Sequence, residues 1–239
     1  MTAPASQRVD HHVGHRNVTG GWLRPALFGV TDGLVSNFAL VMGVAGADVA
    51  ARVVLLAGLA GLLAGAFSMA TGEYNSVRSQ QELARAEIAV ERRELERAPE
   101  AEEAELAALY RNRGLDPQLA REVARQLGRD PEVLWRIHAR EELGIDPDNL
   151  PSPWLAAWSS FVAFALGAFV PIVAYVATLA NAFLVAAVLS GVALFVIGAV
   201  VGRMTARFWL YTGLRQLALG AGAAAVTFAV GSVVGVGVT

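Results

Sequence analysis

The 239 residues include no cysteine, which excludes disulfides and thiolate metal sites. Any metal bound here must use oxygen, imidazole or thioether ligands. Lysine is missing too, so all 19 basic residues are arginine. There is no Gly-rich phosphate loop, no nucleophile and base pair, and no basic face suited to nucleic acid. The chain therefore reads as a non-enzyme with neither a prosthetic group nor a nucleic-acid partner. A Glu-x-x-His motif is also lacking, since Trp135 stands three residues before His138. That counts against a ferritin-type di-iron oxidase centre, which pairs such motifs. The first 21 residues are polar and hold no short apolar stretch with a cleavage site, so no cleavable signal peptide is expected and the first span is expected to direct targeting. No internal repeat is visible.

Apolar residues are abundant, at 55% hydrophobic content, which is too much for an ordinary soluble domain of this length. A helix needs about 20 apolar residues to cross a hydrocarbon core. Trp22 to Ala47 and Val53 to Val77 each meet that requirement, separated by a short turn around Asp48 and Arg52. The block from Phe161 to Val201 would measure about 60 Å as one helix. It is therefore expected to fold back near Thr178 to Asn181 as two spans, and Leu217 to Val238 makes a fifth. Arg8, Arg16, Arg24, Arg203, Arg207 and Arg215 mark one side of these spans and Arg52 the other. The positive-inside rule then puts the N-terminus and the polar middle segment in the cytoplasm. Trp22, Trp154, Trp158 and Trp209 fall at the same ends, where amphipathic rings sit among headgroups. The predicted fold is all-α, with a tail at 1–21, spans one and two within 22–77, a helical insert at 78–150, and spans three to five within 151–239. The all-arginine, alanine-rich composition without a targeting extension points to a bacterial cytoplasmic membrane.

The insert carries 12 arginines against 17 acidic residues. Good helix formers continue past Glu73, so the second membrane helix is expected to run far out of the bilayer until Pro99. Asp116-Pro117 and Asp130-Pro131 supply N-caps followed by proline at the first helical position, with Gly128 and Gly144 placed as C-terminal glycines. Three or four helices are expected here. In the spans, Ala57, Gly61 and Gly65, then Gly198 and Gly202, then Gly231 and Gly235 recur at four-residue spacing and predict close helix approach.

Several residues could carry chemistry. Asp32 lies about ten residues into span one, where an aspartate costs about 2.5 to 3.5 kcal/mol on insertion scales. Residues of that kind mark ion or proton paths, the alternative being helix packing through Thr31, Ser36 or Asn37. Met69 and Glu73 share a face of span two and offer a soft thioether and a carboxylate, although packing and snorkelling would also account for them. Glu87, Glu91 and Glu94 form one acidic stripe, and Glu102 and Glu105 a pair after Pro99. A hairpin at Pro99 would set these face to face, which is unfavourable without a cation between them; His138 and Glu142, at i and i+4, could complete the set. From spacing alone, the simpler reading is a solvated face neutralised by Arg92, Arg93 and Arg97. His11, His12 and His15 read as part of a disordered tail.

The stretches GWLRPALFGVTDGLVSNFALVMGVAGA, AGLLAGAFSMATGEYNSVRSQ and PSPWLAAWSSFVAFALGAFVP together resemble the vacuolar iron transporter family of divalent-metal/proton antiporters. The resemblance covers nearly the whole chain beyond the tail. It implies a homodimer of five-span subunits, a metal path lined by span one, and a cytoplasmic helical domain that collects ions. By motif it assigns Asp32, Met69 and Glu73 to the path and Glu91, Glu94, Glu102, Glu105 and Glu142 to the domain, with His138 where plant members carry methionine. The implied cargo is Fe²⁺, with Mn²⁺, Co²⁺ and Zn²⁺ as further candidates, and the implied counter-ion is the proton. A membrane-anchored metal sensor or storage scaffold and a membrane iron oxidoreductase are the alternative classes.

Overall fold

An apolar run in hydrocarbon must satisfy its own backbone N–H and C=O groups, and a helix does so within one segment. The computed structural model describes residues 21–238, and all regular structure among them is helical. In chain order the helices are α1 (Leu23–Gly46), α2 (Ala51–Arg97), α3 (Pro99–Asn112), α4 (Pro117–Leu127), α5 (Pro131–Glu141), α6 (Pro153–Phe169), α7 (Val173–Val176), α8 (Ala182–Met204) and α9 (Trp209–Val238). A 3₁₀ turn, Val170–Ile172, joins α6 to α7. Five segments are long and apolar enough to cross a membrane: α1, the first part of α2, Pro153–Val176, α8 and Trp209–Gly235. The histidine cluster at residues 11–15 lies outside the described residues.

The expected fold-back is present, with Thr178 in the left-handed region (φ 51°) between α7 and α8. Two spans start earlier than hydropathy alone suggests. Ser152 caps the Leu155 N–H and Pro153 takes the first helical position, so α6 begins eight residues before the apolar block. Likewise α9 begins at Trp209 and carries Arg215 and Gln216 within its helix. The 47-residue α2 is unbroken, about 70 Å of helix that starts among the spans and ends at Pro99.

Helix α1 is the centre of the apolar bundle and packs against α2, α6, α8 and α9. Lipid offers no hydrophobic gain for helix association, so close van der Waals contact has to hold the bundle together. Small residues make that contact possible. Gly33 of α1 lies against the Phe164 backbone of α6, Gly167 of α6 against Val30, and Gly231 of α9 against Gly43. Around them Leu34, Val41, Val54, Ile172 and Leu194 are fully or almost fully buried.

Beyond the spans, α3, α4 and α5 fold against one another over a small core of Leu106, Ala107 and Ala124, flanked by Tyr110, Leu127, Leu134 and Ile137. The Asp116 carboxylate accepts from the N–H groups of Gln118 and Leu119, and that of Asp130 from Glu132. Both N-caps are as the sequence predicts. Gly128 and Gly144 also fall where the sequence places them, Gly128 as the C-cap of α4 with an ordinary helical φ of −68°. The described glycines in the left-handed region are Gly144 (φ 66°) after α5 and, not singled out from the sequence, Gly114 (φ 99°) after α3. Tyr74 of α2 packs on Trp154 of α6 with ring centroids 4.8 Å apart, and Gln81 Nε2 donates to the Pro151 carbonyl at 3.1 Å. These two contacts anchor the long helix to the segment that re-enters the spans.

A Cβ at Gly33 would overlap the Phe164 carbonyl, whereas at Gly222 it would meet nothing within 4 Å. Gly33→Val is expected to lower stability by about 3 kcal/mol or more, against a change within about 1 kcal/mol for Gly222→Ala. Thermal unfolding in detergent, followed by the fraction of monodisperse protein, measures both.

Candidate metal centre and intramembrane cavity

Three helices build the polar cluster. Glu91 projects from the last turns of α2, Glu102 from the first turn of α3 just past the Pro99 break, and His138 and Glu142 from the end of α5. The imidazole is almost fully buried, with Nδ1 at 2.8 Å from Glu91 Oε1, 3.5 Å from Glu142 Oε2 and 3.8 Å from Glu102 Oε2. One ligand atom from each of Glu91, His138 and Glu142 lies within 4.8 Å of the others. Glu91 Oε1 makes no well-directed hydrogen bond despite its closeness to the ring, and His138 Nε2 has no partner. Donor atoms that converge without bonding one another suit a shared cation.

The arginines are placed elsewhere. Arg92 pairs with Glu132 at 3.0 Å and lies over the Trp135 ring, and Arg93 donates to the Ala89 carbonyl. Arg78 pairs with Glu82, Arg113 with Glu141, Arg125 with Glu122, and Arg140 with Asp146 and Asp148. Among the described residues no arginine forms an ion pair with Glu91, Glu94, Glu102, Glu105 or Glu142. The solvated, arginine-neutralised face that spacing allowed is therefore not what forms at Glu91 and Glu102. Glu94 and Glu105 do remain exposed at the edge, where their charge still acts on the buried pair. Burial, followed by the charges of Glu142, Glu94 and Glu105, pushes the Glu91 carboxyl up from 4.5 to about 7. Glu102 is also raised, by burial first and then by Glu91 and Glu105, with His138 acting in the opposite direction.

In the spans, Asp32 and Met69 line one cavity of about 280 Å³ between α1, α2 and α6, together with Ser36, Asn37, Gly61, Gly65, Ser68 and Phe164. The Ser36 hydroxyl donates to the Asp32 backbone carbonyl at 2.6 Å. The Asp32 carboxylate has no ion pair among the described residues. Glu73 is half-buried one turn beyond Met69 on α2 and is not among the residues lining this cavity. Sequence reasoning treated Asn37 only as a packing partner and did not single out Ser68 or Phe164 at all. The available signal was the amide of Asn37, the largest uncharged polar side chain in span one, five positions after Asp32.

The sequence profile of the VIT family matches residues 23–232. The vacuolar iron transporter 1 of Arabidopsis thaliana is 32% identical over 228 residues, covering 95% of this chain and 91% of the relative. That of Acanthamoeba castellanii is 45% identical over 146 residues, covering 61% of this chain and 52% of the relative. The Toxoplasma gondii vacuolar iron transporter is 30% identical over 234 residues, covering 93% and 78%.

Between its ordinary 4.5 and about 7, Glu91 holds a proton in the folded chain that the unfolded chain has released. Its contribution to stability is thus fully present below pH 4.5 and lost as pH rises through about 7. In metal-free protein the unfolding midpoint of the parent is expected to fall relative to that of Glu91→Gln from about pH 5 to about pH 8. Parallel pH profiles for the two would mean that Glu91 titrates as an ordinary exposed carboxylate.

Proposed function

Because the chain belongs to the VIT family, we propose that this multi-pass membrane protein is a secondary transporter that moves Fe²⁺ out of the cytoplasm in exchange for protons. Mn²⁺, Co²⁺ and Zn²⁺ are further candidate cargoes, since three carboxylates and one imidazole suit any of these ions and geometry, more than raw affinity, separates them. The observation that carries the reading is the cluster of Glu91, Glu102, His138 and Glu142, in which the Glu91 and Glu102 carboxylates are drawn out of water without arginine. In this account the helices within 78–150 lie in the cytoplasm and load the ion, with Glu94 and Glu105 drawing it in as peripheral charges. His138 replaces a soft thioether with an imidazole and so favours borderline ions. The working unit is a homodimer with the path between subunits along α1.

The ion then passes Glu73 at the end of the membrane part of α2 and reaches the cavity where Asp32 and Met69 bind it. Protonation of Asp32 from the far side removes the charge that holds the ion and releases it. Each half of the cycle exchanges a proton for a metal at a carboxylate, which couples flux to a pH gradient.

Two outcomes are expected in proteoliposomes. Asp32→Ala reduces pH-gradient-driven Fe²⁺ flux by at least about tenfold, as loss of a ligand in the path requires. Parental flux in that variant would remove Asp32 from the mechanism. The double variant Glu91→Ala, Glu102→Ala weakens metal binding by the full chain about tenfold or more and slows flux chiefly at low metal concentration. Intact metal binding with no flux in the parent would instead favour a membrane-anchored storage or sensing scaffold.

A further inference from the structure

The Asp32 cavity lies where α1 meets α2 and α6. A separate cavity, of about 430 Å³, lies where α1 meets α8 and α9. Two cations on different helices line it, Arg24 in the first turn of α1 and Arg215 in the second turn of α9. Both are exposed, and neither forms an ion pair with a described residue. The Arg215 guanidinium instead lies over the Tyr211 ring, 6.0 Å from its centroid and one turn nearer the start of α9. That start, the start of α1 and the end of α8 share the end of the bundle that carries the insert. Arg215 thus reaches outward toward headgroup depth, the level at which Trp22 and Trp209 stand. The deeper wall is apolar, formed by Leu27 and Phe28 of α1 and by Ile197 and Val201 of α8.

We propose that this groove binds an anionic glycerophospholipid, with its phosphate at Arg24 and Arg215 and the first carbons of its acyl chains along the apolar wall. The wall itself selects the ligand. Two arginines without a carboxylate repel a metal cation. A guanidinium meets a phosphate with paired N–H donors, and basic pockets between membrane helices suit anionic headgroups. A soluble anion would satisfy the charge and leave the apolar surface uncovered, whereas a lipid meets both. A zwitterionic lipid brings its own cation toward the arginines and so binds less well. The phosphate also relieves the repulsion between two like charges in one cavity and ties α1 to α9 at the end nearest the insert. This inference is independent of the transport reading, since it requires only that the bundle sit in a bilayer.

The test is native mass spectrometry of the full chain in mild detergent with phosphatidylglycerol, phosphatidylcholine or inorganic phosphate added, alongside the unfolding midpoint. Phosphatidylglycerol is expected to bind about tenfold more tightly than phosphatidylcholine and to raise the midpoint, while phosphate alone does neither. The double variant Arg24→Gln, Arg215→Gln removes two exposed charges and is expected to lose that preference. Arg203→Gln, at the same end of the bundle but outside the cavity, keeps it. Val201→Trp fills the apolar part with both arginines in place and weakens phosphatidylglycerol binding; the double variant decides where Val201→Trp does not fold. Equal binding of the two lipids overturns the inference, as does an equal loss in Arg203→Gln, which would mean general surface charge. A phosphate effect matching that of the lipid overturns it in favour of a small-anion site. Dissociated subunits with unchanged lipid binding in the double variant overturn it in favour of a subunit interface.

Discussion

A carboxylate taken out of water has to be neutralised by a proton, a cationic side chain or a metal ion, and this chain withholds the cationic side chain at particular places. Its polar segment contains twelve arginines, enough to pair with most of its seventeen acids. They pair with the outer ones, at Glu82, Glu122, Glu132, Glu141, Asp146 and Asp148. Glu91 and Glu102 are left with His138 and with each other. Burial and repulsion among the carboxylates raise both carboxyls above their ordinary range, which is the state from which the proposed loading of a divalent cation would displace a proton. The same constraint applies at Asp32, which sits among apolar helices in a cavity whose other lining residues, Ser36, Asn37, Ser68 and Met69 among them, include no cationic side chain.

Helix α2 connects these two places. Met69 and Glu91 lie on one unbroken helix, about 33 Å apart along its axis. The rod is fixed near its middle by Tyr74 against Trp154 and by Gln81 against Pro151. Its membrane half packs on α6 through Gly65 and Phe164, and its outer half supplies one wall of the acidic cluster. A proposed loading site and a proposed path are thus attached to a single rigid element, so the distance between them is set by helix geometry.

Much of this was legible in the sequence because the relevant signals are local. The run of helix formers after Glu73 predicted the long helix, Pro99 its end, and the two Asp-Pro pairs the starts of α4 and α5. Hydropathy located five spans but misplaced the starts of the third and fifth, since capping at Ser152 and helix propensity through Arg215 are not hydrophobic effects. Spacing placed Glu91, Glu94, Glu102 and Glu105 on facing stripes. It could not separate the buried Glu91 and Glu102 from the exposed Glu94 and Glu105, because that depends on where α5 docks and which way each arginine turns. The resemblance to known transporters named the same residues without explaining the difference between them. Asn37 was the least legible, as its part in joining α1 to α6 depends on a hydrogen bond to a residue 131 positions away.

The central claim is that the outer cluster exchanges protons for metal. The most direct measurement is calorimetric titration of Mn²⁺ into the full chain at about pH 6.5 in buffers of different ionisation enthalpy, which counts protons released per ion bound. The account predicts release of about one proton per ion from this cluster, largely abolished in Glu91→Gln. Tight binding with no proton release would contradict it, because the carboxylates would then already be ionised and Glu91 would not be holding the proton that the metal displaces.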